Sequence, residues 1–174
     1  MTYLPSEEYC EYLEKILKKY GDYRIPYPQV WDDAGRMEAG GKGFGFDCAT
    51  RAIVLVTEIP YREACRMINS YCRENERIMG TGEGEDYEPS TVETGIHSTT
   101  LKKMLLNLFG MKWTRKVTTW QKIKFPPGRH IVSLEGHVTT VIDGVIYDSI
   151  RCSSPHYSRI FGYYTFDPNF KINR

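Results

Sequence analysis

Residues 136–148 read GHVTTVIDGVIYD and carry the clearest structural signal in the chain. Their centre, Asp143-Gly144, is a strong signal for a two-residue turn between antiparallel strands. β-branched and apolar residues flank this turn on both sides, a composition that is typical of strands. The stretch therefore predicts a β-hairpin in which Thr140 lies opposite Tyr147.

This hairpin is expected to place a histidine beside a carboxylate. Successive side chains of a strand point to opposite faces, so the pairing puts His137 and Asp148 on one face, as diagonal neighbours about 7 Å apart at the backbone. An aspartate there can accept a hydrogen bond from one ring nitrogen and leave the other nitrogen free to act on a thiol. A β-bulge would shift the register and move Asp148 to the other face.

Cys48 is the thiol on which this histidine is expected to act. It follows a glycine-rich stretch, residues 40–47 (GGKGFGFD), and precedes the apolar run at residues 49–56 (ATRAIVLV). A cysteine at such a loop-to-helix junction lies near the positive end of the helix dipole, which lowers the pKa of a thiol and favours the nucleophilic thiolate. Cysteine, then histidine, then a carboxylate is the order of these groups along the chain of a thiol hydrolase.

Other histidines and cysteines fit this role less well. His130 is a rival base, but no carboxylate lies at strand spacing from it. His97 precedes a helix cap and is expected at the surface. A cysteine on an apolar helix is usually a small buried hydrophobe, so the remaining cysteines are expected to be structural. They are Cys10, Cys65, Cys72 and Cys152.

Composition argues against several classes of protein. The formal net charge of the 174 residues is +1, which gives no reason to expect nucleic acid or an anionic membrane as a partner. No apolar run approaches the length of a membrane span, and the N-terminus lacks the pattern of a signal peptide. The five cysteines fit no close-paired metal spacing and are expected as free thiols. We therefore expect a cytoplasmic protein with no metal and no cofactor.

Helical patterns precede strand patterns along the chain. Amphipathic and apolar stretches predict helices at about residues 6–21, 48–58, 60–78 and 98–109. Stretches typical of strands lie at residues 112–117, 129–134, 137–142, 145–150 and 159–166. Prolines and glycines break every period in residues 22–46, which are predicted as a long loop. Helices first and an antiparallel sheet second indicate a single α+β domain over residues 1–174.

Two residues beside Cys48 have a local explanation. Asp47 immediately precedes the predicted helix, where an aspartate side chain commonly caps the free N–H groups. Arg51 lies four residues further on, the spacing of an ion pair on one helix face. We therefore expect Asp47 to cap the helix and to pair with Arg51.

Two motifs resemble a known family. The first comprises residues 46–52 (FDCATRA) and 56–64 (VTEIPYREA), and the second comprises residues 136–138 (GHV) and 141–148 (VIDGVIYD). The first is similar to the Asp-Cys-x-x-Arg-Ala segment of small papain-like cysteine peptidases, many of which are uncharacterised bacteriophage proteins, and the second is similar to their second motif. The resemblance implies a papain-like fold, with a helical group packed on an antiparallel sheet.

The resemblance also implies a role for each candidate residue. Cys48 would be the nucleophile, His137 the general base, and Asp148 the residue that orients the imidazole. The chain departs from the family in the oxyanion hole, since papain-like enzymes usually place a glutamine a few residues before the cysteine. Residues 34–47 contain neither Gln nor Asn. The backbone N–H of Cys48 remains as one donor, and Lys42 or an amide of the glycine-rich loop as a second.

Loss of one oxyanion donor typically costs about 10²–10³-fold in rate, which favours a slow or narrowly specific enzyme over a general protease. The leading hypothesis is a thiol hydrolase that cleaves a peptide, isopeptide or amide bond of a protein or peptide substrate. One alternative is an acyltransferase, in which an amine resolves the thioester. Another is a non-catalytic phage protein that keeps the fold and binds a host protein, in the host cytoplasm.

Overall fold

A computed structural model describes residues 25–42, 45–76, 88–152 and 157–172. The predicted first helix, at residues 6–21, lies outside these residues, and so does Cys10. Within them the chain forms helices and strands in an α+β arrangement. The general class that the sequence predicts is therefore confirmed.

Three helices lie in the described part of the chain: α1 (Cys48–Thr57), α2 (Tyr61–Asn75) and α3 (Ser98–Asn107). They confirm the predicted helices there, with ends that differ by a few residues at most. Helix α1 is followed by its C-cap residue Glu58, which takes the left-handed conformation with φ of 60°. Pro60 then separates α1 from α2, because a proline cannot continue the hydrogen-bond ladder of the preceding helix.

The predicted cap of α1 is wrong. Asp47 stands in the N-cap position, but its side chain makes no capping hydrogen bond. The carboxylate is instead committed to ion pairs and to a tyrosine hydroxyl, which are described with the site below.

Within the described ranges, six strands form one mixed sheet in the order β1-β5-β4-β3-β6-β2. Their bounds are β1 (Gln29–Val30), β2 (Lys112–Thr119), β3 (Arg129–Leu134), β4 (His137–Ile142), β5 (Val145–Tyr147) and β6 (Arg159–Phe166). Neighbouring strands are antiparallel except β1 and β5, which are parallel. The prediction of a purely antiparallel sheet is therefore wrong at this edge. Strand β1 comes from the predicted loop at residues 22–46, and two residues are too few to show an alternating pattern.

The hairpin of β4 and β5 has the predicted register, with Thr140 opposite Tyr147. Strand β5 ends at Tyr147, three residues earlier than predicted. The first residues of β4 therefore pair with β3 on one side, and no described residue pairs with them as a strand on the other. Helix α1 packs against β4, and its first residue reaches this open part of the strand edge.

Apolar clusters cover both faces of the sheet. The cluster between the sheet and the helices takes alternate strand residues, and these are Ile131, Val138, Tyr164 and Phe166. The cluster on the other face takes the intervening residues together with a loop that follows β2. Its buried members are Trp120, Ile123, Val132, Leu134, Val141, Ile146, Cys152, Ile160 and Tyr163. This alternation fixes which side chains face the helices and which face away from them.

Candidate active site

The three predicted site residues come together at the open edge of β4. The Cys48 thiol lies beside the His137 side chain and the backbone of Val138, and both lower its pKa. Nε2 of His137 lies 2.7 Å from Oδ2 of Asp148. Since Nε2 is bonded to the carboxylate, Nδ1 is the ring nitrogen left for the sulfur. The predicted neighbourhood of His137 and Asp148 is confirmed, and the imidazole lies between a thiol and a carboxylate.

Cys48 and His137 meet around the edge of the sheet. Cys48 packs against the cluster on the helical face. His137 is one residue from Val138, which faces the helices, so its ring lies toward the other face. There it contacts Tyr157, with ring centroids 5.0 Å apart. The early end of β5 is what allows a thiol from one face to reach an imidazole from the other.

The Asp148 carboxylate is buried, with 4% of its surface exposed, and both oxygens accept hydrogen bonds. Oδ1 accepts from the backbone N–H of Ile150 at 3.0 Å and lies 3.4 Å from Nη1 of Arg51. Oδ2 accepts from His137. Burial by itself raises the pKa of Asp148, but the hydrogen bond and positive charge of His137 outweigh it and lower the pKa below its usual value. The carboxylate is therefore ionised at neutral pH.

The thiol and the imidazole favour an ion pair. Burial opposes ionisation of Cys48, but the hydrogen bond and charge of His137 outweigh it and lower the pKa of the thiol. Burial likewise opposes protonation of His137, and hydrogen bonds to Asp148, Cys152 and Cys48 raise its pKa well above the usual value. A lowered thiol pKa beside a raised imidazole pKa shifts the balance from the neutral pair toward thiolate and imidazolium. This is the ionisation state of a nucleophilic cysteine.

Arg51 forms a connection that sequence analysis missed. Its Nε lies 3.3 Å from Oδ1 of Asp47, which confirms the predicted local ion pair. Its Nη1 lies 3.4 Å from Oδ1 of Asp148 and also bonds the Ser149 hydroxyl. The guanidinium therefore links α1 to the residues that follow β5. No local spacing signals a contact between residues 97 positions apart.

Asp47 holds a second arginine and a tyrosine. Its Oδ2 lies 2.8 Å from Nε of Arg36 and accepts a hydrogen bond of 2.6 Å from the Tyr61 hydroxyl. Burial and the hydrogen bond to Asp47 raise the pKa of Tyr61, so the phenol stays protonated. A depression of about 460 Å³ lies on the far side of Asp47, bordered by Arg36, Tyr61 and Cys65.

Cys152 also lies in the site, although its sequence context predicts only a structural cysteine. Its buried sulfur lies 3.4 Å from Oγ1 of Thr139 and 3.5 Å from Oδ2 of Asp148. Burial raises the pKa of this thiol, and the nearby Asp148 charge adds to the effect. Cys152 is therefore a protonated hydrogen-bonding neighbour of the carboxylate, without the thiolate character of Cys48.

His137, Asp148 and Cys152 offer ligand atoms that all lie within 4.8 Å of one another. The distance of 2.7 Å between Nε2 and Oδ2 is that of a hydrogen bond. Two such ligands around a tetrahedral zinc ion would stand roughly 3.3 Å apart, given metal–ligand bonds of about 2.0 Å. The geometry of these three residues thus fits a hydrogen-bonded cluster better than a metal site.

The rival base has a structural role. His130 is fully buried, with Nδ1 3.1 Å from the Thr165 hydroxyl and Nε2 2.9 Å from the carbonyl oxygen of Pro126. Burial lowers the pKa of His130, which favours the neutral ring. His97 is exposed at the start of α3, as predicted.

Gln29 is occupied elsewhere. Its Nε2 donates to the carbonyl oxygen of Ile150 at 2.5 Å, and its Oε1 accepts from the backbone N–H of Cys152 at 3.1 Å. The amide thus holds the loop after β5 and is not directed at Cys48. The first hydrogen bond of α1 runs from the N–H of Arg51 to the carbonyl of Asp47. The N–H groups of residues 48–50 have no acceptor within the helix, and they are candidate oxyanion donors.

No protein-family model, curated protein or solved structure matches this chain. The papain-like resemblance of its two motifs therefore remains a prediction. Among the described residues, no helix combines the length and the apolar character that a membrane span requires.

Proposed function

We propose that the protein is a papain-like thiol hydrolase that cleaves a peptide, isopeptide or amide bond through Cys48, His137 and Asp148. The observation that carries this proposal is an imidazole hydrogen-bonded to a buried carboxylate, with the Cys48 thiol beside it and bordering the same crevice as that carboxylate. A helix that presents a cysteine at its N-terminus, packed on a strand that presents a histidine, supports the papain-like part of the proposal.

In the first half of the reaction, the Cys48 thiolate attacks the carbonyl carbon of the substrate. A C–S bond forms, and the π electrons of the carbonyl move to its oxygen, which the N–H groups at the start of α1 stabilise. When the tetrahedral intermediate collapses, the C–N bond breaks. The imidazolium of His137 gives a proton to the departing amine, which leaves a thioester and a neutral ring.

In the second half, water resolves the thioester. Neutral His137 takes a proton from the attacking water, a C–O bond forms, and the C–S bond breaks to release a carboxylic acid. The thiolate and the imidazolium are thereby restored. Asp148 stays ionised throughout, and it fixes the ring through Nε2 while it stabilises the imidazolium charge.

The proposed substrate is a protein or peptide. Thiolate attack on an acyl carbon requires no metal or cofactor, because the nucleophile and the acid–base group are both side chains of this chain. The phage resemblance of the two motifs extends this proposal to a host protein as the substrate, with the host cytoplasm as the place of action.

Labelling with a thiol-directed electrophile tests the proposal. The purified protein is treated with substoichiometric iodoacetamide near pH 7, and the modified cysteines are mapped by peptide mass spectrometry. We expect Cys48 to be alkylated before the other cysteines. The protein is then incubated with a peptide or amide library, with and without hydroxylamine. Carboxylic acid products indicate hydrolysis, and hydroxamates indicate acyl transfer to the added amine. Equal labelling of all cysteines in the folded protein would overturn the assignment of the nucleophile.

A further inference from the structure

Five side chains in and beside the site form a row of alternating charge. Arg36 pairs with Asp47 at 2.8 Å, and Asp47 pairs with Arg51 at 3.3 Å. Arg51 then lies 3.4 Å from Asp148, which is 2.7 Å from His137. The reaction above uses only the last two of these groups, so the row leaves a role for Arg51 to be explained.

The burial of Arg51 separates it from an ordinary surface ion pair. Its side chain is 6% exposed, and those of its two carboxylate partners are 5% and 4% exposed. One partner precedes the nucleophile in sequence, and the other accepts the hydrogen bond of the base. A planar guanidinium can satisfy two carboxylates in different directions at once, whereas a lysine ammonium is a single point charge.

We propose that Arg51 is a positioning residue that holds the Asp148 carboxylate, and through it the His137 ring, in line with the Cys48 sulfur. This inference rests on the proposed function and extends it by one residue. Arg51 and the N–H of Ile150 both act on Oδ1 of Asp148. They fix the rotation of the carboxylate, and Oδ2 is left directed at Nε2.

Charge gives Arg51 a second effect in the same place. The thiolate of Cys48 is flanked by two buried carboxylates, Asp47 before it and Asp148 behind the imidazole. Asp32 lines the same crevice as Cys48 and Arg51. Like charges at such distances disfavour a thiolate, and the shared guanidinium offsets them. Without Arg51 the row contains adjacent carboxylates with no cation between them.

The test compares Arg51→Gln and Arg51→Lys with wild type by the rate of Cys48 alkylation from pH 5 to 9. Arg51→Gln should move the lower limb of the profile to higher pH by about one unit, which on that limb means about tenfold slower labelling. Arg51→Lys keeps the positive charge but loses the planar set of N–H donors of the guanidinium, so we expect a smaller shift in the same direction. If Arg51→Gln does not fold, the Arg51→Lys protein alone is compared with wild type.

The matched control is Arg129→Gln. Arg129 also pairs with a carboxylate, that of Glu58 at 2.5 Å, but this pair lies at the opposite end of α1 from Cys48 and is far more exposed. Its profile should superimpose on that of wild type. A folded Arg51→Gln or Arg51→Lys protein whose profile also superimposes on wild type would overturn the proposal.

A double-mutant cycle tests whether Arg51 acts through Asp148. In an Asp148→Asn background, Arg51→Gln should shift the profile far less than in wild type, because the group that Arg51 positions has already lost its charge. An undiminished shift in that background would overturn the positioning role. The proposed function fails separately, if the wild-type protein shows no preferential labelling of Cys48.

Discussion

Two histidines on neighbouring strands face the same side of the sheet, and their surroundings make them opposites. His130 on β3 lies opposite Val141 of β4, and His137 lies on the same face four residues before Val141. Both are buried, and burial favours the neutral ring in both. His130 bonds a hydroxyl and a backbone carbonyl, so burial prevails and lowers its pKa.

His137 has a carboxylate and a thiol as partners, and they reverse that balance and raise its pKa. Burial alone therefore does not distinguish a structural histidine from a candidate base. The two histidines are distinguished by the charge of their hydrogen-bond partners and by their position in the sheet. His130 stacks on Phe125 inside the core, whereas His137 lies where β5 has ended and a helix N-terminus can approach.

The largest expected effect is the loss of activity when the nucleophile or its base is removed. Cys48→Ala and His137→Ala should each lower hydrolysis at least about 10³-fold, because neither remaining group provides a basic nucleophile alone. Cys48→Ala should change the melting temperature little, since the thiol is only half-buried. Kinetics on an identified substrate and thermal melts of the same samples would measure both. A Cys48→Ala protein that melts many degrees lower would instead identify Cys48 as a core residue.

His130→Ala should show the reverse pattern. We expect a loss of about 2–4 kcal/mol in the free energy of unfolding, because the change opens a cavity and leaves the Pro126 carbonyl without its partner. Activity per folded molecule should remain near that of wild type. Denaturant unfolding and active-site titration provide the two readings. If His130→Ala left stability intact and removed activity, the roles of the two histidines would have to be exchanged.

Asp148→Asn should slow hydrolysis, but by less than removal of the base. The amide keeps the ring near its place, but it loses the charge that stabilises the imidazolium and no longer selects one tautomer. Alkylation of Cys48 at pH 6 should slow in parallel, because a less basic imidazole supports less thiolate. Faster alkylation in this variant than in wild type would contradict the assigned role.

The smallest expected effect is the contribution of His130 to the pH dependence of stability. A pKa lowered on folding means that the unfolded chain binds more protons below about pH 6.5, so His130 reduces stability as the pH falls through that range. His130→Gln cannot titrate, and its unfolding free energy should fall less steeply from pH 6.5 to 5 than that of wild type. Parallel urea titrations at several pH values would show it. Identical slopes of unfolding free energy against pH for the two proteins would contradict the lowered pKa of His130.

Local rules account for what the sequence predicts correctly. The Asp143-Gly144 turn fixes the register of β4 and β5, and alternation then brings Asp148 beside His137. Both steps depend on residues within one hairpin, where spacing determines geometry. The position of Cys48 at the start of α1 follows from the glycine-rich stretch and the apolar run after it.

The features that sequence analysis missed depend on contacts between distant elements. Strand β1 has two residues, and its pairing with β5 is visible only once the sheet is assembled. Cys152 enters the site because Gln29 holds the loop that contains it. Arg51 reaches Asp148 because α1 packs on β4, and a spacing of four residues predicts only its pair with Asp47.

The pH dependence of alkylation at Cys48, with Cys65 as the internal reference, tests the central claim most directly. The two thiols are both partly exposed, but the pKa of Cys48 is lowered, whereas burial raises that of Cys65. We predict that the Cys48 rate rises less steeply between about pH 6 and 8 than the Cys65 rate, which should rise about tenfold per pH unit. A Cys48 rate that climbs in step with Cys65 would contradict the thiolate–imidazolium pair.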